Sequence, residues 1–324
     1  MTSPYTWLGC AAATLALLLA PTALYPVFLM KALCFALFAC SFNLLLGFAG
    51  LVSFGHAAFF AAAAYTTAHL AKAYAIAMPL AVGAGVLVAA AMGWAMGSLA
   101  IRRQGIYFSM ITLALAQLVY FYFVQAPWTG AEDGIQGVPR GTLFGLVALD
   151  DNLSMYYVVA AVAAAGFWFI HRIVHSPFGE VLKAIRENEP RAVSLGYDVD
   201  RYKLLAFVLS AALAGLAGSI KVLALQVASL QDAHWHMSGE VMLMTLLGGL
   251  GTIVGPVVGA FFVTGLGHYL TDVGSWIVAI TGAIFIAVVM LFRKGIVGEL
   301  NEFLRRKRMR ALLITTVQGK ETAQ

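Results

Sequence analysis

Charged residues are scarce in this sequence. Lysine, arginine, aspartate and glutamate make up 11% of its 324 residues, whereas a soluble domain carries about 25%. A water-soluble protein of this size could not cover its surface with so few charges, and 61% of the residues are hydrophobic. We therefore expect lipid to surround much of the chain, which excludes a soluble enzyme. No polar block is long enough to form a separate soluble domain.

The residues that covalent chemistry needs are also lacking. The three cysteines, Cys10, Cys34 and Cys40, lie in apolar runs and form no Cys-x-x-Cys pair, so they are expected to be small buried side chains. The single Gly-Lys pair, at 319–320, is followed by glutamate, so no phosphate-binding loop is present. The sequence therefore predicts no enzyme, no metal site and no cofactor bound by this chain.

Long apolar runs fill most of the sequence. A helix that crosses a bilayer needs about 20 mostly apolar residues, and about ten runs approach that length. The fold class predicted is an all-α integral membrane protein with about ten transmembrane or half-membrane helices, the eighth short enough to be a half-helix. The runs are Trp7 to Leu24, Val27 to Leu46, Phe54 to Leu70, Met78 to Ala100, Ile106 to Gln125, Leu153 to Ile170, Lys203 to Leu225, Met237 to Leu250, Thr252 to Leu270 and Trp276 to Phe292.

The distribution of basic residues predicts the orientation. Lysine and arginine concentrate in 172–202 and in the tail at 293–324, whereas 126–152 carries four carboxylates and one arginine. Basic loops stay in the cytoplasm, so 126–152 is predicted to be external and both chain termini cytoplasmic. The whole chain, 1–324, is then one polytopic domain. Few ionisable groups fall within spans, which argues against ion-driven transport; of these, Lys221 and Glu240 could pair.

The segment 172–202 has the pattern of a helical elbow in water. Ser176-Pro177 is typical of a helix start, and apolar residues then recur at helical spacing opposite a charged face. Pro190 starts a second short helix, which Gly196 can end in a left-handed cap. The segment is much longer than the usual connection of about 2–8 residues. We interpret it as a docking surface for a partner protein rather than a plain solvated loop.

Glycine and other small residues form two further patterns. A stripe of small residues recurs every four positions from Ala81 to Gly97, and a second runs from Ala211 to Ser219, which predicts close helix packing. Leu45-Leu46-Gly47-x-x-Gly50 recurs as Leu246-Leu247-Gly248-x-x-Gly251, which indicates either an internal repeat near a transport pathway or a chance similarity. The polar residues around these breaks are the candidate lining of the pathway: Asn43, Ser53, His56, Thr245 and Thr252. For His56 a structural hydrogen bond is the favoured alternative.

Several stretches together resemble a known family. SPFGEVLKAIRENEPRAVSLGYDVDRYKLLAFVLSAALAGLAG from Ser176, VMLMTLLGGLGTIVGPVVGA from Val241, and NLLLGFAGLVSFGHAAF from Asn43 occur in the expected order. They are similar to permease subunits of ABC importers for branched-chain amino acids. WTGAEDGIQGVP from Trp128 resembles the external segment of the M-type (LivM-like) branch. The resemblance covers nearly the whole chain.

The resemblance implies an assembly as well as a fold. It implies two cytoplasmic ABC ATPase subunits that bind ATP, a second permease of the H-type, and a periplasmic solute-binding protein, all at a bacterial inner membrane. No nucleic acid is expected. The elbow would bind the ATPase and transmit its closure to the spans. The residues implied in that coupling are Phe178, Gly179, Glu180, Ile185, Arg186, Glu187, Asn188, Glu189, Ala192 and Gly196.

The expected function is import of branched-chain or related hydrophobic amino acids, powered by ATP hydrolysis on separate subunits. The alternative is a secondary carrier or channel for small polar solutes such as urea or amides. Flux through this chain reconstituted alone would separate the two. The sequence leaves the exact solute open, because related permeases receive their solute from different binding proteins.

Overall fold

The computed structural model describes residues 20–21, 24–143, 147–270, 277–291 and 295–299. The first predicted span and Cys10 lie outside these ranges, except for residues 20, 21 and 24, as does the basic tail except for 295–299. The described chain is mostly helical. Its helices are α1 (Pro26–Asn43), α2 (His56–Ala73), α3 (Met78–Ala100), α4 (Ile106–Gln125), α5 (Asn152–Val174), α6 (Pro177–Glu187), α7 (Glu189–Ser194), α8 (Val199–Leu225), α9 (Trp235–Gly248), α10 (Gly255–Tyr269) and α11 (Ile277–Leu291).

Within the residues that the structure describes, five segments are long and apolar enough to cross a membrane. These segments are Pro26–Ala49, Met78–Ala100, Ile106–Gln125, Asn152–Val174 and Val199–Leu225. The chain is therefore a multi-pass membrane protein, as its composition predicts. Two of the predicted runs, Met78 to Ala100 and Ile106 to Gln125, have the bounds of the observed helices. Helix α9 has only 14 residues, or about 21 Å, against a hydrocarbon core of about 30 Å.

The described residues include four short strands, a small β component that the all-α prediction did not include. Strand β1 (Ile135–Gln136) pairs antiparallel with β4 (Val227–Ala228), so that Ile135 lies opposite Ala228. Strand β2 (Thr142–Leu143) pairs with β3 (Val147–Ala148). Because β1 and β4 are 91 residues apart, their pairing is a tertiary contact that no local sequence pattern predicts.

Helix α8 lies at the centre of the bundle, where it packs against α1, α2 and α3. The two predicted stripes of small residues face each other across the α3–α8 interface. A Cβ atom on Gly93 would lie 2.5 Å from the Cβ of Ala211, and one on Gly215 would overlap Ala89. Close approach of the backbones is what small side chains permit in a membrane, and the predicted packing is confirmed.

The predicted external segment and the elbow lie at opposite ends of α5 and α8. We call the end that carries α6 and α7 the elbow end, and the other the far end. At the far end, Lys72 Nζ of α2 donates to Gln136 O at 2.7 Å, which ties a span to the β1 strand. Which end faces the cytoplasm stays a prediction.

A buried ion pair closes the far end of α8. Lys221 Nζ lies 2.5 Å from Asp232 Oδ2, and their side chains are 8% and 6% exposed. The suggested pairing of Lys221 with Glu240 is wrong. A 3₁₀ turn at Leu230–Ala233 returns the chain towards α8 and brings Asp232 to the lysine first.

Candidate coupling site

The elbow consists of two capped helices, α6 and α7. Ser176 Oγ accepts from Gly179 N at 3.4 Å, with Pro177 as the first helical residue, as predicted. Asn188 Oδ1 accepts from Arg191 N at 3.1 Å and caps α7. Gly196 has φ +88°, the left-handed conformation predicted for the end of this helix. Side-chain caps satisfy backbone donors that helix starts leave free, so each short helix is locally defined.

The inner face of the elbow packs against the spans. Leu182 is fully buried and joins the main core, while Ile185, Ala192 and Val199 form a smaller buried cluster. Phe178 is half-buried, with its ring stacked on Tyr202 at 5.7 Å between centroids. Phe178, Ile185 and Ala192 therefore hold the elbow to its own chain, and direct contact of the implied coupling residues with a partner stays a prediction.

The outer face of the elbow exposes apolar side chains that the sequence analysis missed. Val193 is 57% exposed, Leu195 69% and Tyr197 40%. They lie on α7 and just after it, next to the exposed Gly196. The sequence does show a cluster of apolar residues at this point. In the structure Ala192 packs inward, and the apolar side chains that follow it face outward. Among the predicted coupling residues, Glu180, Arg186, Glu187 and Asn188 are also exposed.

Glu189 joins the elbow to two other parts of the chain. Its Oε1 accepts from Lys203 Nζ at 2.7 Å and from Gln104 Nε2 at 2.9 Å. Lys203 belongs to the first turns of α8 and is 4% exposed, whereas Gln104 lies in the connection between α3 and α4. This carboxylate fixes the start of α7 against the bundle.

The two glycine-rich breaks meet beside the elbow. The first follows α1, which continues as a π-helical turn at Leu44–Ala49, and the second follows α9. Asn43 Nδ2 donates to Thr252 O at 2.8 Å, and Asn43 Oδ1 accepts from Gly251 N at 3.1 Å. One buried amide thereby joins two breaks that are about 200 positions apart in sequence.

The breaks share their backbone conformation at corresponding glycines. Gly50 has φ +73° and Gly251 has φ +72°. Other residues rarely adopt this left-handed region, which explains glycine at both positions. The similarity that the sequence indicated thus extends to local geometry and to spatial contact.

Arg186, at the end of α6, contacts the first break and lies beside the second. Its Nη1 donates to the carbonyl oxygen of Gly47. A Cβ atom on Gly251 would lie 3.4 Å from the same nitrogen, and one on Gly50 would lie 3.0 Å from Arg186 Cγ. A cleft of about 340 Å³ beside this contact is lined by Phe48, Lys183, Arg186, Glu187 and Gly251.

Comparison with known proteins identifies the family. The family model described as "Branched-chain amino acid transport system / permease component" matches residues 26–292. The chain belongs to this family. LivM, the high-affinity branched-chain amino acid transport system permease protein of Salmonella typhimurium, is 26% identical over 288 residues, covering 82% of this chain and 68% of the relative. The Escherichia coli LivM protein matches to the same extent.

Relatives with other names match as well. LsrC, the autoinducer 2 import system permease protein of Klebsiella pneumoniae, is 28% identical over 51% of this chain and 47% of its own. LivH of Salmonella typhimurium is 24% identical over 82% of this chain and 91% of its own. No solved structure matches. These relatives are permease components and not enzymes, and the chain is a LivM-like permease.

The candidate pathway residues of this permease lie at the end of α1 and on the segments that pack near it. Asn43, Ser53, His56 and Thr245 are buried and Thr252 is half-buried. Ser210 Oγ donates to Ser41 O at 2.6 Å and lies 2.8 Å from His56 Nε2, so the ring nitrogen is the donor in that contact. Thr245 Oγ1 lies 3.3 Å from Ala39 O on α1. His56 thus makes a structural hydrogen bond between two helices, the alternative that the sequence analysis favoured for it. A role in the transport pathway stays a prediction for all five residues.

No metal site accompanies these polar residues in the part of the chain that the structure describes. His171 and His175 stack with 4.2 Å between ring centroids, but no third histidine, cysteine or carboxylate joins them there. Cys34 and Cys40 are buried in α1, as predicted for small apolar side chains.

Proposed function

We propose that this permease forms half of the membrane pore of an ATP-driven importer for branched-chain or related hydrophobic amino acids. The observation that carries the proposal is the elbow, which is held to both glycine breaks on one face and exposes apolar side chains on the other. A stand-alone pore has no use for such a face outside the bilayer. The sequence, in turn, offers no nucleotide-binding loop of its own, so ATP would be bound by a partner.

The proposed assembly contains this chain, an H-type permease, two ABC ATPase subunits and a periplasmic binding protein in a bacterial inner membrane. The match to LivH as well as LivM supports a pair of related permeases. The elbow would lie in the cytoplasm with both termini, and the 126–152 segment would lie outside and receive the binding protein.

The proposed solute rests on the relatives. LivM covers 82% of this chain and is named for branched-chain amino acids, whereas LsrC covers about half and is named for autoinducer 2. The longer match favours an amino acid. Alternating access would follow when ATP-driven closure of the ATPases favours one conformation of the spans over the other.

We propose that Val193, Leu195 and Tyr197 form the surface that binds the ATPase. Full burial of an exposed valine or leucine side chain is favourable by about 1.5–3 kcal/mol. Exposed on a soluble segment, they are the residues that a partner would need to cover. Glu187 and Asn188 would lie at the polar edge of that surface.

The test is co-purification of the whole complex with Leu195→Asp in this chain. We expect the ATPase subunits recovered with the permease to fall about 10-fold, consistent with loss of about 1.4 kcal/mol or more, while the permease stays in the membrane fraction. Arg201→Ala is the matched control, because its exposed ion pair with Asp198 is local to one turn.

Two results would contradict the proposal. One is undiminished ATPase binding together with normal leucine uptake by the Leu195→Asp complex. The other is labelling of a cysteine at position 195 by an impermeant maleimide added to intact spheroplasts, which would place the elbow on the external side. Leucine accumulation by the purified chain alone would favour the secondary-carrier alternative.

A further inference from the structure

The contact between Arg186 and the glycine breaks is more specific than packing. Leu182 and Ile185 already bury the apolar face of α6, so the helix does not need Arg186 for its attachment. The arginine side chain is nevertheless largely exposed, and its guanidinium reaches across to a carbonyl 139 positions away. A charged donor on a neutral carbonyl is a strong directional contact, worth about 1.5–3 kcal/mol.

Each break has a glycine at which the backbone can rotate outside the flanking helices. Each contains a glycine with positive φ, and each ends one helix before another starts, so a rotation there does not have to break a helical hydrogen-bond ladder. Asn43 and close backbone contact join the two segments: a Cβ atom on Gly47 would lie 2.8 Å from Gly251 N. The cleft of about 340 Å³ beside Arg186 leaves room for its side chain to shift.

The elbow is held differently at its second helix. Glu189 binds Lys203 of α8 and Gln104 near α4, neither of which contributes to a glycine break. The start of α7 is therefore attached to α8 and to the α3–α4 connection, and the end of α6 to a glycine break. A displacement of the elbow about Glu189 would shift Arg186 and, with it, the carbonyl of Gly47 and the backbone at Gly251.

From this arrangement we infer that Arg186 is a positioning residue that transmits movement of the elbow to both glycine breaks at once. The inference rests on the proposed function, because it takes the ATPase to be what moves the elbow. Arg186 contacts neither ATP nor solute in this role. In each nucleotide state, Arg186 would fix the position of the helix pair α1–α2 relative to the pair α9–α10.

The test uses the complete complex in proteoliposomes, with leucine as the solute probe. For Arg186→Gln we expect the ATPase subunits to remain bound and ATP hydrolysis to stay within about 2-fold of wild type. Leucine imported per ATP should fall about 10-fold, through maximal rate rather than half-saturating concentration. Arg186→Lys keeps one charged donor and should recover part of the loss. Lys183→Gln, one turn away on the same helix, is the control.

A second measurement does not depend on the solute. A cysteine at the exposed position Leu250, beside Gly251, is labelled with maleimide in a background without native cysteines. In the wild-type complex the labelling rate should differ between the nucleotide-free and the ATP–vanadate states. In Arg186→Gln that difference should disappear although ATP is still hydrolysed.

A pair of glycine variants tests the same contact without changing the arginine. Gly50→Ala places a methyl group against Arg186 Cγ, whereas Gly105→Ala also has a positive φ, +60°, but open space around it. We expect Gly50→Ala to lower leucine imported per ATP and Gly105→Ala to leave it within about 2-fold of wild type.

Three outcomes would overturn the inference. Leucine import per ATP and nucleotide-dependent labelling could both survive in Arg186→Gln. The ATPase subunits could be lost from that variant, which would make Arg186 a docking residue. Gly105→Ala could uncouple as strongly as Gly50→Ala. If instead no ATPase subunits co-purify with the wild-type chain, the proposed function itself fails. That failure is seen in the wild-type preparation, before any variant is measured.

Discussion

The two ends of α8 carry the same kind of ion pair in different surroundings. At the far end Lys221 binds Asp232, and both side chains are nearly excluded from solvent. At the elbow end Lys203 is equally buried, but its partner Glu189 is 27% exposed and also binds Gln104. The lysines are 18 residues apart, about 27 Å along the helix, which is close to the thickness of a hydrocarbon core.

The difference between these pairs indicates different roles. Asp232 is 11 residues from Lys221 and belongs to the turn that directly follows α8, so the far-end pair fixes a local connection. Glu189 belongs to the elbow, so the other pair attaches a separate segment to the central span. Without Lys221, Asp232 keeps the backbone donor of Ser229 but has no cation and little access to water. Without Lys203, Glu189 retains an amide donor and access to water.

The largest effect is expected from Lys221→Met. It leaves the Asp232 carboxylate buried without its cation, which typically lowers the free energy of unfolding by about 3–5 kcal/mol. The thermal midpoint of the detergent-solubilised permease, measured by fluorescence-detected size exclusion, should fall clearly. Adding Asp232→Asn removes the stranded charge while an amide oxygen can still accept from Ser229 N. We expect the double variant to recover more than half of the loss, and equal midpoints for all three proteins would refute a stabilising far-end pair.

Lys203→Met should have a smaller effect on stability and a larger one on the elbow. Because Glu189 keeps Gln104, the expected loss is about 1–2 kcal/mol. Hydrogen exchange of the elbow backbone should accelerate, while that of α3 and the middle of α8 should not. Exchanging the charges, Lys203→Glu with Glu189→Lys, tests the pair directly in a double-mutant cycle. Unchanged elbow exchange in the single variant would show that the pair does not hold the elbow.

Short-range sequence patterns were enough to predict several helices and one contact between them. Apolar run length gave α3 and α4 their observed bounds, and Ser176-Pro177 located the start of α6. Small-residue spacing predicted the α3–α8 contact because a helix places every fourth residue on one face. Each of these signals is local, and each is strong because a bilayer allows little other than a helix with satisfied backbone.

The contacts that define the candidate site are long-range, and the sequence did not reveal them. The resemblance implied a role for Arg186 in coupling, but no pattern indicated that its guanidinium also reaches Gly47 across 139 positions. Glu189 was implied in coupling as well, and its contact with Lys203 within the chain was not predicted. Lys221 was paired with the wrong carboxylate, since only the 3₁₀ turn at Leu230–Ala233 determines which one returns to α8. A charged side chain can be recognised in a sequence, whereas its partner depends on how distant segments pack.

The ion pair of Lys183 is more exposed than those of Lys221 and Lys203, and the smallest effect is expected from its loss. Its Nζ lies 2.8 Å from Glu180 Oε1 on the same helix, with side chains 36% and 67% exposed. Pairs of this kind contribute about 0.2–0.5 kcal/mol, so Lys183→Met should leave the thermal midpoint and leucine uptake unchanged within error. Uptake is the sharper measurement, because Lys183 also lines the cleft beside Arg186. A large loss of uptake here would mean that the positive charge of the cleft, rather than the single contact from Arg186 to Gly47, connects the elbow to the glycine breaks.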